Sequence, residues 1–138
     1  MLEFNLFLID YWYFSVPLFF FIFLFAYSEM NKGGKKIEPN ELTRLVNKES
    51  AILIDIRKKE DYENGHIMTA LNYPHQEFDN QMHELEKFKD RPIILVCDMG
   101  RNSANIGEKL KKAEFKETFR LNGGMMTWTQ ENLPIVQK

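Results

Sequence analysis

Cys97 is the only cysteine in a chain of 138 residues. It stands where the apolar run Ile93-Ile94-Leu95-Val96 gives way to Asp98-Met99-Gly100-Arg101-Asn102. A buried free cysteine behaves as a small hydrophobe and needs no such polar, glycine-bearing neighbour. A nucleophilic cysteine does, because the thiolate is the reactive species and nearby positive potential favours it. Backbone N–H groups of a tight turn converge on an anion, and the start of a following helix adds its positive end. Gly100 can take backbone conformations that a Cβ resists, and Arg101 brings a permanent cation for an anionic substrate. Cys97 is therefore the candidate nucleophile, with Asp98, Met99, Gly100, Arg101 and Asn102 forming its substrate-binding loop. No metal is expected, because His66, His75 and His83 fall in separate local contexts without zinc-ligand spacing. One cysteine also excludes an intramolecular disulfide.

Short apolar runs and helical patterns must place this loop. Pro39 can open a helix at its first position, and Leu42, Leu45 and Val46 then share one face. Ala51 to Ile56 is short and almost continuously apolar, as is Ile93 to Val96, the look of strands buried on both faces. Phe78, Met82 and Leu85 predict a helix between them, and Ile106, Leu110 and Ala113 predict another after the loop. Phe119 to Leu121 reads as a last short strand, and Met125 to Asn132 as a closing helix. Strands alternating with helices imply an α/β fold whose parallel sheet is covered on both faces. Ligands of such sheets bind beyond the carboxyl ends of the strands, which is where Cys97 falls. Asp55 and Arg57 end the other buried strand on the same side and are expected to brace the loop by charge-assisted hydrogen bonds. His66 is expected to bond the backbone, Trp128 to lie in the core, and Lys109, Lys111 and Lys112 to form a solvated face.

Two kinds of anion-handling cysteine fit a strand-to-helix loop. A cysteine phosphatase would carry its arginine two residues beyond Arg101, where this chain has Ser103, so that the loop could wrap a phosphate. A loop that holds one extra sulfur as a persulfide can be shorter, and this one is. Three stretches then carry a family likeness, in order. LIDIRKKEDYENGHIMTALNYP supplies Asp55, Arg57, Tyr62, Gly65, His66, Ile67 and Pro74; CDMGRNSA supplies the loop; LNGGMMTWTQENLPIV supplies Gly123, Gly124, Trp128 and Pro134. From about residue 37 to 136 the chain resembles a single-domain rhodanese of the membrane-tethered bacterial type. That resemblance implies a five-stranded, mostly parallel sheet flanked by helices and a sulfurtransferase needing no cofactor. Cys97 would carry a sulfane sulfur from a small anionic donor or a protein persulfide to a thiol acceptor. Two residues depart from the pattern. Thr69 stands where glycine is usual, read as a packing change. Asp98 sets a negative charge beside the nucleophile, opposing thiosulfate and favouring another persulfide as donor. The alternative function is a rhodanese-shaped, membrane-tethered docking module with little catalysis.

The front of the chain is a different material. All 18 Lys and Arg residues lie after position 28, and 12 of the 19 aromatic residues lie at or before it. Tyr11 to Ser28 holds 18 residues without a charge, about 27 Å of helix against a hydrocarbon core of about 30 Å. The residues before it include Glu3 and Asp10 and no basic residue, unlike the start of a signal peptide. Sequence alone thus divides the chain into an uncleaved transmembrane anchor (1–28), a flexible tether (29–36) and a soluble domain (37–138). Lys32, Lys35 and Lys36 after the span place that domain on the cytoplasmic face of a bacterial inner membrane, as a single-pass protein. A net charge of −2 gives no reason to expect nucleic acid as a partner.

Overall fold

The two apolar runs form the middle of one sheet. In the computed structural model, which describes residues 1–30, 32–100 and 102–137, five strands run in the order β1-β5-β4-β2-β3. These are β1 (Lys35–Ile37), β2 (Ile52–Asp55), β3 (Leu71–Asn72), β4 (Ile93–Val96) and β5 (Thr118–Leu121). All four pairings are parallel. β4 is central and every one of its residues is buried, which is why it carries no polar alternation. Successive side chains still point to opposite faces. Ile94 and Val96 pack with Leu42 and Leu45 of α3 (Pro39–Lys48) and with Met125 and Trp128 of α7 (Gly124–Gln130). Ile93, Leu95 and Cys97 pack on the other face, against Phe78 of α5 (Phe78–Gln81) and Ile106 and Leu110 of α6 (Ser103–Lys112). The α6 lysines follow the expected solvated arrangement, with Lys109 Nζ 2.9 Å from Asp79.

Several elements of the soluble unit lie outside the sequence expectations. The helix α4 (Lys59–Asn64) has no apolar stripe, and β3 is two residues long. The pattern Phe78, Met82, Leu85 is shared between α5 and a 3-10 turn over Met82–Phe88, whose tighter winding still brings these residues to one side.

The chain divides into two units after residue 31. The first contains α1 (Leu2–Asp10), which sequence did not separate, and α2 (Trp12–Met30), which has no buried residue. α2 is long and apolar enough to cross a bilayer, with a mean hydropathy of 1.5 over its best 18 residues. In the second unit Lys35 and Lys36, placed by sequence in the tether, pair with Phe119 and Arg120. The packing starts earlier still. The Gly33 N–H donates to Glu108 Oε1 at 2.8 Å, and a Cβ on Gly107 would overlap the Gly33 carbonyl. Arg120 Nε donates to the Gly34 carbonyl at 3.1 Å. Burial pushes the Arg120 guanidinium below its ordinary range, opposed by Cys97 and Glu108.

Thr69 corrects an expectation. Its φ is +73° and its side chain is exposed, so glycine suits this position through backbone freedom and not through packing. The left-handed conformation costs a residue with Cβ about 1–2 kcal/mol, and glycine returns about 0.5–1 kcal/mol of that as unfolded-chain entropy. Thr69→Gly is therefore expected to stabilise the domain by about 0.5–1 kcal/mol, seen as a higher urea midpoint at unchanged slope.

Candidate active site

β4 carries Cys97 to the carboxyl end of the sheet, and the chain turns at once toward α6. Cys97 is 3% exposed, and its Sγ accepts the Gly100 N–H at 2.8 Å. That approach uses Gly100 at φ +85°. Buried Ser103, the first residue of α6, donates its hydroxyl to the Gly100 carbonyl at 2.9 Å. The base of the loop is held from α7, where Met125 N–H donates to the Cys97 carbonyl (2.7 Å) and Met126 N–H to the Asp98 carbonyl (3.0 Å). Gly124, at φ +57°, lies so close that a Cβ would overlap the Cys97 carbonyl oxygen.

The other loop residues are distributed around the sulfur. Asp98 points outward, its side chain 68% exposed and 3.9 Å from Arg57 Nη1. Met99 is 46% exposed. Asn102 caps α6 through its carbonyl, which accepts from Ile106 N–H at 3.4 Å, and its side chain makes no capping bond. Arg101 lies outside the described residues.

Asp55 and Arg57 are buried together. Arg57 Nε lies 3.0 and 3.1 Å from the two Asp55 carboxylate oxygens, and Nη2 lies 2.8 Å from Oδ2. Nη2 also donates to the Gly65 carbonyl at 2.6 Å. Asn72 Nδ2 bonds both the Asp55 and Arg57 carbonyls. The pair thus braces the corner between β2 and α4, and among the described residues its ion-pair reach to the cysteine loop is the 3.9 Å approach to Asp98. His66 bonds backbone as expected, with Nδ1 2.7 Å from the Tyr62 carbonyl and its ring stacked on Tyr62. Trp128 is core, 5% exposed.

A cavity of about 180 Å³ opens at Cys97 between Arg57, Lys58, Asp61, His75, Asp98 and Asn102. It is smaller than the roughly 300–1,000 Å³ of drug-sized ligand sites and suits only a small ligand. Lys58, Asp61 and His75 were missed by sequence reasoning. Lys58 and Asp61 belong to the unforeseen α4 corner, and no local pattern marks His75. A larger depression of about 690 Å³, lined by Tyr62, Leu71 and Gln81 among others, holds no nucleophile. Among the described residues no cluster of His, Cys, Asp and Glu could hold a metal ion.

A wholly parallel sheet, helices on both faces and a cysteine opening a strand-to-helix loop define a thiol-bearing α/β domain. Residues 38–131 match the Rhodanese-like domain family, and the chain belongs to it. It is 35% identical over 123 residues to the uncharacterized protein YibN of Escherichia coli K12, covering 88% of this chain and 86% of YibN. It is 29% identical over 98 residues to the thiosulfate sulfurtransferase GlpE of Shewanella oneidensis, covering 71% and 95%. The rhodanese-related protein of Thermoplasma volcanium matches the fold with a TM-score of 0.68 at 23% identity, over 75% of this chain and 99% of that one.

The two glycines that shape the site should respond differently to substitution. Alanine at Gly100 meets nothing closer than 3.5 Å, so it brings backbone strain of about 1–2 kcal/mol, partly offset by the lower entropy of the unfolded chain. Alanine at Gly124 adds the overlap with the Cys97 carbonyl, typically another 1–3 kcal/mol. Thermal unfolding of the two variants is expected to show the larger loss for Gly124→Ala.

Proposed function

We propose that this protein is a sulfurtransferase whose Cys97 carries a sulfane sulfur as a persulfide. The observation that supports it best is the Gly100 N–H directed at Sγ, with a cavity of about 180 Å³ in front. That N–H stabilises negative charge on sulfur, whether thiolate or persulfide. In loading, the Cys97 thiolate attacks the sulfane sulfur of the donor. The Sγ–S bond forms, the donor's S–S bond breaks, and its electron pair leaves with sulfite or a donor thiolate. No step requires a metal or an organic cofactor. Asp98 is mostly solvated and lines the cavity mouth, so it disfavours thiosulfate and favours a persulfide donor. Lys58, also at the cavity, and Arg101 are the cations for an anionic donor.

Because Cys97 is the sole thiol, the assignment has a clean test. Intact mass after incubation with thiosulfate or a small persulfide should rise by one sulfur atom. Cys97→Ser should show no gain and no thiocyanate formation with cyanide; full activity in that variant would end this reading.

The chain is further proposed to be anchored by α2 in a bacterial inner membrane, with the rhodanese domain in the cytoplasm. The apolar helix Trp12–Met30 and the lysines that follow it support this. Protease added to spheroplasts should spare the domain and should destroy it after lysis. Cleavage in intact spheroplasts would reverse the orientation.

A further inference from the structure

From Lys32 onward, the exposed large apolar side chains among the described residues are Met68, Leu71, Met99, Met126, Ile135 and Val136. Single exposed apolar residues need no explanation. Here, however, Met99, Met126 and Ile135 converge on one groove of about 440 Å³, also lined by Met125 and Thr129. The far wall is fixed in place. Val136 and His66 exchange backbone hydrogen bonds of 2.8 and 2.9 Å, Trp128 Nε1 donates to the Pro134 carbonyl, and Ile135 lies against Gly65. Ile135 is thus 42% exposed on anchored backbone.

Groove and cysteine cavity adjoin, because Arg57, Asp61 and Asp98 line both. Among the described residues the charges at this junction are not balanced. Arg57 is already engaged by Asp55 at 2.8 Å, Asp98 approaches it only at 3.9 Å, and Asp61 has no ion pair among the described residues. Two carboxylates therefore face a methionine-lined trough. Such a surface repels small anions, attracts a cation, and its flexible thioethers adapt to varied apolar side chains.

We propose that this groove docks the sulfur acceptor, a protein segment whose cysteine is flanked by a bulky apolar residue and by a lysine or arginine. The proposal rests on the sulfurtransferase reading and names its acceptor class. The apolar residue seats between Met126 and Ile135, the cation meets Asp61 and Asp98, and the thiol reaches the cavity mouth. In transfer the acceptor thiolate attacks the outer sulfur of the Cys97 persulfide. A new S–S bond forms on the acceptor, the Sγ–S bond breaks, and its electron pair returns to Cys97 as thiolate.

The test uses the full chain in uncharged detergent and two labelled peptides that differ only in a lysine or glutamate beside the central position. With serine in place of cysteine, fluorescence anisotropy reads docking without chemistry. The lysine peptide is expected to bind at least about tenfold more tightly, roughly 1.4 kcal/mol. Asp61→Lys should reverse the preference, and Ile135→Ser should weaken the lysine peptide about tenfold. With cysteine restored, Ile135→Ser should slow sulfur transfer to the peptide by a similar factor and leave transfer to cyanide unchanged. Equal binding of the two peptides, or binding indifferent to both substitutions, overturns the proposal. Loading of Cys97 without peptide discrimination overturns the docking surface alone. Discrimination without loading supports the surface and overturns the sulfurtransferase reading.

Discussion

The reactive end of this fold depends on how two carbonyl groups are satisfied. Beyond β4 the chain leaves the sheet, so the carbonyls of Cys97 and Asp98 have no strand partner. The N–H groups of Met125 and Met126 supply one each, at 2.7 and 3.0 Å. The first turn of a helix has free N–H groups to give, and a buried carbonyl left without a partner costs about 1–3 kcal/mol. The two deficits cancel. The cancellation requires close approach, and Gly124 permits it by having no Cβ at the contact. Cys97 is therefore positioned from below by β4, from the side by α7, and from above by the Gly100 N–H.

A second constraint sits across the cavity. Asp55 and Arg57 are 1% and 9% exposed, and their charges are matched through three contacts of 2.8 to 3.1 Å. Breaking such a buried pair by removing one partner typically costs about 3–5 kcal/mol. With Nη2 shared between Asp55 and the Gly65 carbonyl, most of the guanidinium fork serves the β2–α4 corner. Arg57 thus brings little unspent positive charge to the cavity it lines. Burial, and then the Asp55 charge, raise the Tyr62 phenol above its ordinary range. It stays protonated and donates to the Ala70 carbonyl at 2.6 Å, tying α4 to the strand edge.

What could be read in the sequence was whatever repeats or sits in a strongly apolar run. Ile93 to Val96 and Ala51 to Ile56 announce central strands because burial on both faces removes polar residues. Cys97 announces itself by standing at the end of one of them. The loop residues Asp98 to Asn102 follow from that placement, although Arg101 lies outside the described residues. Elements held mainly by their neighbours were not legible. Lys59–Asn64 is polar except for Tyr62, and Leu71–Asn72 is a strand only because β2 lies beside it. Lys35 and Lys36 look like a solvated tether until Phe119 and Arg120 offer their ladder. Lys58, Asp61 and His75 come to the cavity through those elements, so their place in the site was hidden too. Thr69 shows the limit differently, since a positive φ leaves no trace in residue type when glycine is absent.

The hold on the cysteine loop is made by main-chain groups. Gly100 contributes its N–H from a left-handed backbone that suits glycine, whereas at Met125 and Met126 almost any residue could supply the donor, proline excepted. The side chains at 99, 126 and 135 project into solvent from the same scaffold. Reactivity and surface character are thus written in separate parts of the same residues. Side chains can change while the main-chain contacts around the Cys97 sulfur are kept. The surface beside Cys97 can therefore be altered by substitutions at 99, 126 and 135 that leave the hydrogen bonds holding the loop in place.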